Sequence, residues 1–123
     1  MFEVDFLEKA LVGAMLSNAS MIDRIGDELV GHAFRDPVCG VAFEAAYHLR
    51  KSGCGVSPKS VLGHLLERGD ESVTFIELTR LANDGATQDV EFYLAQLLEF
   101  DRRVALKIAL QNALMQVETE SLD

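Results

Sequence analysis

The sequence offers little from which to build a covalent staple, a membrane span or a phosphate-binding face. Its two cysteines, Cys39 and Cys54, fit no zinc or redox spacing and do not make the disulfide framework of a small secreted domain. No apolar run approaches the roughly 18 to 20 residues that a bilayer span requires, and no signal-peptide pattern opens the chain. The expected compartment is therefore the cytoplasm, with both thiols reduced. Cations are scarce as well: 11 lysines and arginines stand against 20 acidic residues, for a formal net charge of −9. Arg50-Lys51 and Arg102-Arg103 are the only adjacent basic pairs, so the clustered charge that neutralises nucleic-acid phosphates is missing. Direct nucleic-acid binding is not expected, whereas a basic protein partner suits the balance. Strand signals are nearly absent, and no repeat, low-complexity run or interdomain linker breaks a length of 123 residues that suits one domain with its own core.

What is present is helical periodicity with start and stop signals. Val4, Leu7, Leu11, Ala14 and Met15 recur at steps of three and four, which predicts an amphipathic first helix ending near Ser17-Asn18. Ser20, with Asp23 three residues on, predicts a capped second helix that buries Ile22, Ile25 and Leu29 and closes at Gly31. Asp36-Pro37 places a capping side chain before a proline whose missing N–H costs nothing at the first helical position. The third helix then carries a stripe of Val38, Val41, Ala45 and Leu49, broadened by Ala42, and ends with Arg50 and Lys51 before Gly53. Thr74 to Glu77 reads as a capping box for a helix that continues through Leu81 and stops at Asn83-Asp84-Gly85. From Thr87 to about Val117 there is neither glycine nor proline, and Val90, Leu94, Leu97, Val104, Ile108 and Met115 fall at steps of three, four or seven. Asp101 interrupts this stripe. A helix of that length reaches roughly 45 Å, more than a small domain needs, so part of its surface is expected to be covered by another chain.

Chemistry-bearing motifs do not survive inspection. Gly53 to Ser60, GCGVSPKS, lies one residue away from a phosphate loop, with Pro58 where the second glycine belongs. A phosphate loop follows a strand and aims backbone N–H groups at the ligand; this stretch follows a helix, and Pro58 removes a donor. It reads instead as a turn: Gly53 ends one helix, Gly55 permits a tight bend, Ser57 caps, and Pro58 opens a helix through Val61, Leu62, Leu65 and Leu66 to Gly69. Lys59 could lower the thiol pKa of Cys54, but no base is placed to activate it. His32, His48 and His64 lie on different predicted elements with no oriented partner, and no metal spacing joins them to the cysteines. The acidic clusters Asp70-Glu71 and Glu118, Glu120, Asp123 read as solvated surface or tail. No catalytic, cofactor-binding or metal-binding residue is assigned, and a small thiol- or metal-dependent enzyme is the least supported reading.

In order and spacing, the elements resemble a known family. Glu8-Lys9-Ala10-Leu11-Val12-Gly13-Ala14-Met15-Leu16 is similar to the opening helix of DnaB-type replicative helicases. Phe34-Arg35-Asp36-Pro37 through Phe43-Glu44-Ala45, then Leu49, Gly53, Val56, Ser60-Val61-Leu62 and Leu66, follow that family's next two helices. Glu77-Leu78 through Leu81-Ala82, and Phe92-Tyr93-Leu94-Ala95, stand where the family has its fourth motif and the opening of a helical hairpin. Cys39 and Ser57 depart from a usual histidine and aspartate. The resemblance covers about residues 5 to 110 and rests on packing and turn residues.

The resemblance implies an all-α N-terminal helicase domain: a compact bundle of about five short helices over residues 1–86, then a long helix over 87–118 that packs on the bundle and a partner chain, and an acidic tail over 119–123. The long helix is the first arm of a hairpin. In this family such domains are non-catalytic, pair through their hairpins into dimers and a hexameric collar, and dock primase or a loader during DNA replication; the ATP-dependent motor follows elsewhere in the parent helicase. Leu97, Val104, Ile108 and Met115 are the candidate self-association or partner residues, with packing on the domain's own bundle equally open for Leu97. A free-standing helicase-binding regulator, or the helicase-interacting C-terminal domain of primase, shares the fold and remains the alternative.

Overall fold

The segments with an apolar repeat fold as helices in the computed structural model, which describes residues 3–85 and 89–121, with side chains described through Glu118. In chain order these are α1 (Val4–Ser17), a π-helical turn (Ile22–Gly26) running into α2 (Asp27–Leu29), α3 (Pro37–Lys51), α4 (Pro58–Glu67), α5 (Phe75–Asp84) and α6 (Val90–Ser121). Among the described residues there is no strand. Thr87, the expected start of the long helix, lies outside the described residues; the helix itself runs through Ser121, beyond the expected junction with a tail at 118.

The starts obey local chemistry. The Asp36 carboxylate accepts from the N–H groups of Val38 and Cys39 ahead of Pro37. Ser57 accepts from Ser60 N–H while the Ser60 hydroxyl accepts from Ser57 N–H, and Thr74 and Glu77 exchange the same reciprocal pair. Two helix ends are Schellman motifs. At α3, Cys54 N–H donates to Leu49 C=O and Gly53 N–H to Arg50 C=O; at α4, Asp70 and Gly69 repeat this with Leu65 and Leu66. Gly53 and Gly69 take φ of +79° and +76°, which glycine adopts without a Cβ clash. The glycine-rich stretch is thus a helix stop and a helix start.

Three details differ from the periodicity. The first helix is not amphipathic but buried nearly all round, because α5, α6 and α3 pack against it from different sides. Ser20 does not cap the second helix; Asn18 accepts from Ser20 N–H, the chain continues as a wide π turn, and Asp23 turns outward to Arg50. In α3 the buried face centres on Cys39, Ala42, Phe43 and Ala46, with Ala45, while Val38, Val41 and Leu49 flank it half-buried.

The core holds Leu7, Leu11, Met15, Ile22, Ile25, Leu29, Val61, Leu78, Val90 and Leu97 in one cluster. Its tightest point is the crossing of α1 and the end of α5. A Cβ on Gly13 would lie 2.2 Å from the Leu81 carbonyl oxygen and 2.6 Å from Gly85 Cα, so the approach exists only because position 13 carries no side chain. That crossing fixes α1, and α1 carries α6.

Candidate interaction surface

Helix α6 divides into two parts. From Val90 to Phe100 it lies on α1, with Val90, Leu94 and Leu97 buried and Tyr93, Leu98 and Phe100 partly so. From Arg102 to Glu118 every residue is exposed. At 1.5 Å per residue these positions project about 25 Å of helix beyond the packed part.

The projecting part is apolar far beyond what a solvated helix requires. Val104, Leu106, Ile108, Leu110, Leu114, Met115 and Val117 are all large, hydrophobic and exposed, from 39 % at Val104 to 65 % at Met115. At 100° per residue they fall on two opposed faces. Val104, Ile108, Gln111 and Met115 follow steps of four, three and four along one side. Leu106, Leu110, Ala113 and Val117 repeat the same steps on the other. Of the residues named from sequence, Val104, Ile108 and Met115 lie on this surface. Leu97 does not: it is 0 % exposed, covered by the domain's own core, and drops out of the candidate set. Leu106, Leu110, Leu114 and Val117 were missed, although their spacing is legible once a second stripe is sought.

The boundary between the two parts is polar. His32, at the start of the loop into α3, is inserted between α1 and α6 with its side chain 1 % exposed. Its Nε2 lies 2.6 Å from Glu8 Oε2, and its Nδ1 lies 2.8 Å from both carboxylate oxygens of Asp101. Glu8 is wholly buried, and it also accepts from Arg35 N–H at 2.8 Å and Asp36 N–H at 3.0 Å. Asp101 is 31 % exposed and is the last partly covered residue before the helix leaves the body. The Phe34 ring meets the imidazole edge-on at 4.8 Å. His32 thus has two oriented partners, contrary to the expectation that it has none. The sequence clue was a carboxylate in each of two apolar stripes, Glu8 in α1 and Asp101 in α6.

This cluster is not arranged for catalysis. The two carboxylates sit on opposite edges of one ring and do not converge on a point, and among the described residues no group of three or more His, Cys, Asp or Glu is placed to hold a metal ion. Cys39 lies nearby but is buried, and burial, with the negative charges of Asp36 and Glu8, pushes its thiol up to about 12. Cys54 is exposed on the turn after α3. His48 and His64 stack on each other from α3 and α4, with ring centroids 5.1 Å apart. An open groove of 590 Å³ between the start of α1 and α6 is lined by charges of both signs, including Asp5, Arg35, Glu99 and Arg103. No described helix is long and apolar enough to cross a membrane.

No curated protein and no solved structure matches the chain significantly. The profile of the DnaB-like helicase N-terminal domain matches residues 4–99, which takes in the whole body and the packed part of α6. Because the match spans most of its length, the chain belongs to the DnaB-like helicase N-terminal domain family.

Proposed function

We propose that this domain is the non-catalytic assembly and docking module of a replicative DNA helicase, and that the projecting part of α6 is its assembly arm. The observation that carries this reading is the run from Arg102 to Glu118, exposed along its whole length yet lined by large apolar side chains on two faces. A helix apolar on opposed sides needs two coverings. One is the returning arm of a hairpin and the other is a second copy, an arrangement that builds the collar of a hexamer. The acidic surface, within a net charge of −9, suits a basic docking partner such as primase or a loader and repels nucleic acid.

Sedimentation equilibrium of the parent chain beside Val104→Asp and Ile108→Asp tests the assembly arm. The parent is expected to self-associate, and each variant to shift toward monomer while its helical circular dichroism is retained. An unchanged mass distribution in both variants contradicts the assignment. Separate pull-downs with primase and with a helicase motor ring distinguish the docking module from a free-standing regulator, which binds the helicase alone.

A further inference from the structure

We propose that His32, carrying a proton on each ring nitrogen, is a clasp between Glu8 and Asp101 that sets the direction in which the projecting half of α6 is presented. The inference deepens the assembly reading and rests on it for its purpose, though not for its test.

Donor counting gives the protonation. An ionised carboxylate has only lone pairs to offer, and both ring nitrogens of His32 face carboxylate oxygens at 2.6 to 2.8 Å. A neutral imidazole has one N–H, so one of the two contacts would set a nitrogen lone pair against an oxygen lone pair. Moving the missing proton onto Glu8 would neutralise a carboxylate that also accepts the backbone N–H groups of Arg35 and Asp36, and so weaken both of those bonds. A doubly protonated ring satisfies every contact with charge-assisted hydrogen bonds. The trio then holds one net negative charge. Ionisable groups around it include the Cys39 thiol, held neutral, Asp36, which is paired with Lys9 at 3.9 Å, and Asp5, Arg35, Glu99 and Arg103 along the groove between α1 and α6.

Position gives the role. Glu8 belongs to the central helix, His32 and the two backbone donors belong to the strap into α3, and Asp101 closes the covered part of α6. Leu97 is the last fully buried residue of α6, one turn earlier, and apolar contact there resists separation better than rotation. The Nδ1–H directed between both Asp101 oxygens adds a directional tie at the point of exit. Loss of that tie frees the arm to swing while leaving the body folded.

Nitrogen-15 spectra of histidine-labelled chain read the ring directly: both His32 nitrogens are expected to be protonated at neutral pH, and a neutral tautomer overturns the proposal. Pulsed electron resonance reads the arm, with spin labels on the native Cys54 and on Lys107→Cys, diluted into unlabelled chain and placed in the Ile108→Asp background so that partner contacts do not hold the helix. One narrow distance is expected, lost in favour of a broad distribution in His32→Gln and in Asp101→Ala. Should His32→Gln fail to fold, Asp101→Ala decides, since it removes a part-exposed side chain and leaves every Glu8 contact in place. A narrow distance that survives Asp101→Ala overturns the clasp. Self-association plays no part in either readout, so failure of the assembly reading and failure of the clasp are separately visible.

Discussion

The two halves of α6 share a helix and an apolar spacing, yet they meet opposite surroundings. Val90, Leu94 and Leu97 are buried against the body, while Val104, Ile108 and Leu110 stand in solvent about two to four turns beyond Leu97. Helix propensity and periodicity are blind to this difference, because both report only how side chains distribute around an axis. The difference comes from where α1 ends. Helix α1 supplies a surface as far as its N-terminal turn, around Val4 and Leu7, and α6 simply outruns it. Apolar spacing therefore measures the demand for a partner, and the tertiary structure decides whether the domain itself supplies one.

The largest effect separates the halves. Leu97→Asp buries an unpaired charge in the core and is expected to destabilise the body by roughly 4 kcal/mol. Ile108→Asp, in the projecting half, is expected to change the unfolding free energy of the body by no more than about 0.5 kcal/mol, since its cost falls on association rather than on folding. Equal losses of stability in urea titrations of the two variants would erase the distinction between a packed and a projecting half.

A smaller effect attacks the support on which the packed half lies. Gly13→Ala forces α1 away from the end of α5 and is expected to cost roughly 2 kcal/mol through overpacking against backbone that cannot yield. Denaturant unfolding followed by circular dichroism measures it, and a neutral result means that the α1–α5 approach is looser than its geometry.

The smallest effect lies on the body alone. Hydrogen bonding from Arg50 lowers the carboxyl pKa of Asp23, and hydrogen bonding from Tyr47, aided by Lys51, lowers that of Asp27. A carboxyl with a depressed folded value stabilises the fold above its unfolded value, about pH 4, and loses that contribution as pH falls through the folded value. Both groups are exposed, so the loss is small and salt-sensitive. In urea titrations stepped below pH 4, the Asp23→Asn, Asp27→Asn double variant is expected to lose less stability than the parent; an equal loss assigns the acid sensitivity to other groups.

Much of the fold was legible in the sequence, for reasons that particular residues make plain. Asp36-Pro37, Ser57-Pro58 and the Thr74–Glu77 box act on N–H groups two or three residues away, so their effect needs no knowledge of the rest of the chain. Gly53 and Gly69 stop helices for an equally local reason. The second helix was misread because Ser20 and Asp23 have local uses that lost to distant ones: Asn18 took the turn, and Arg50, on another helix, took Asp23. The α3 stripe was rotated because alanines and a cysteine, weak in any hydrophobic count, make up most of its buried face. His32 was the clearest omission. Its two partners lie 24 and 69 residues away, and no spacing rule reaches that far.

By itself the sequence determined the helices, their ends and an excess of apolar surface, because capping, glycine conformation and periodicity act within a few residues. Only the tertiary structure decided that α1 is enclosed, that Leu97 is core while Ile108 is surface, and that Glu8, His32 and Asp101 meet where the long helix departs. Those outcomes depend on which surfaces run out and which charges meet across the chain, and both are set by packing rather than by any local preference.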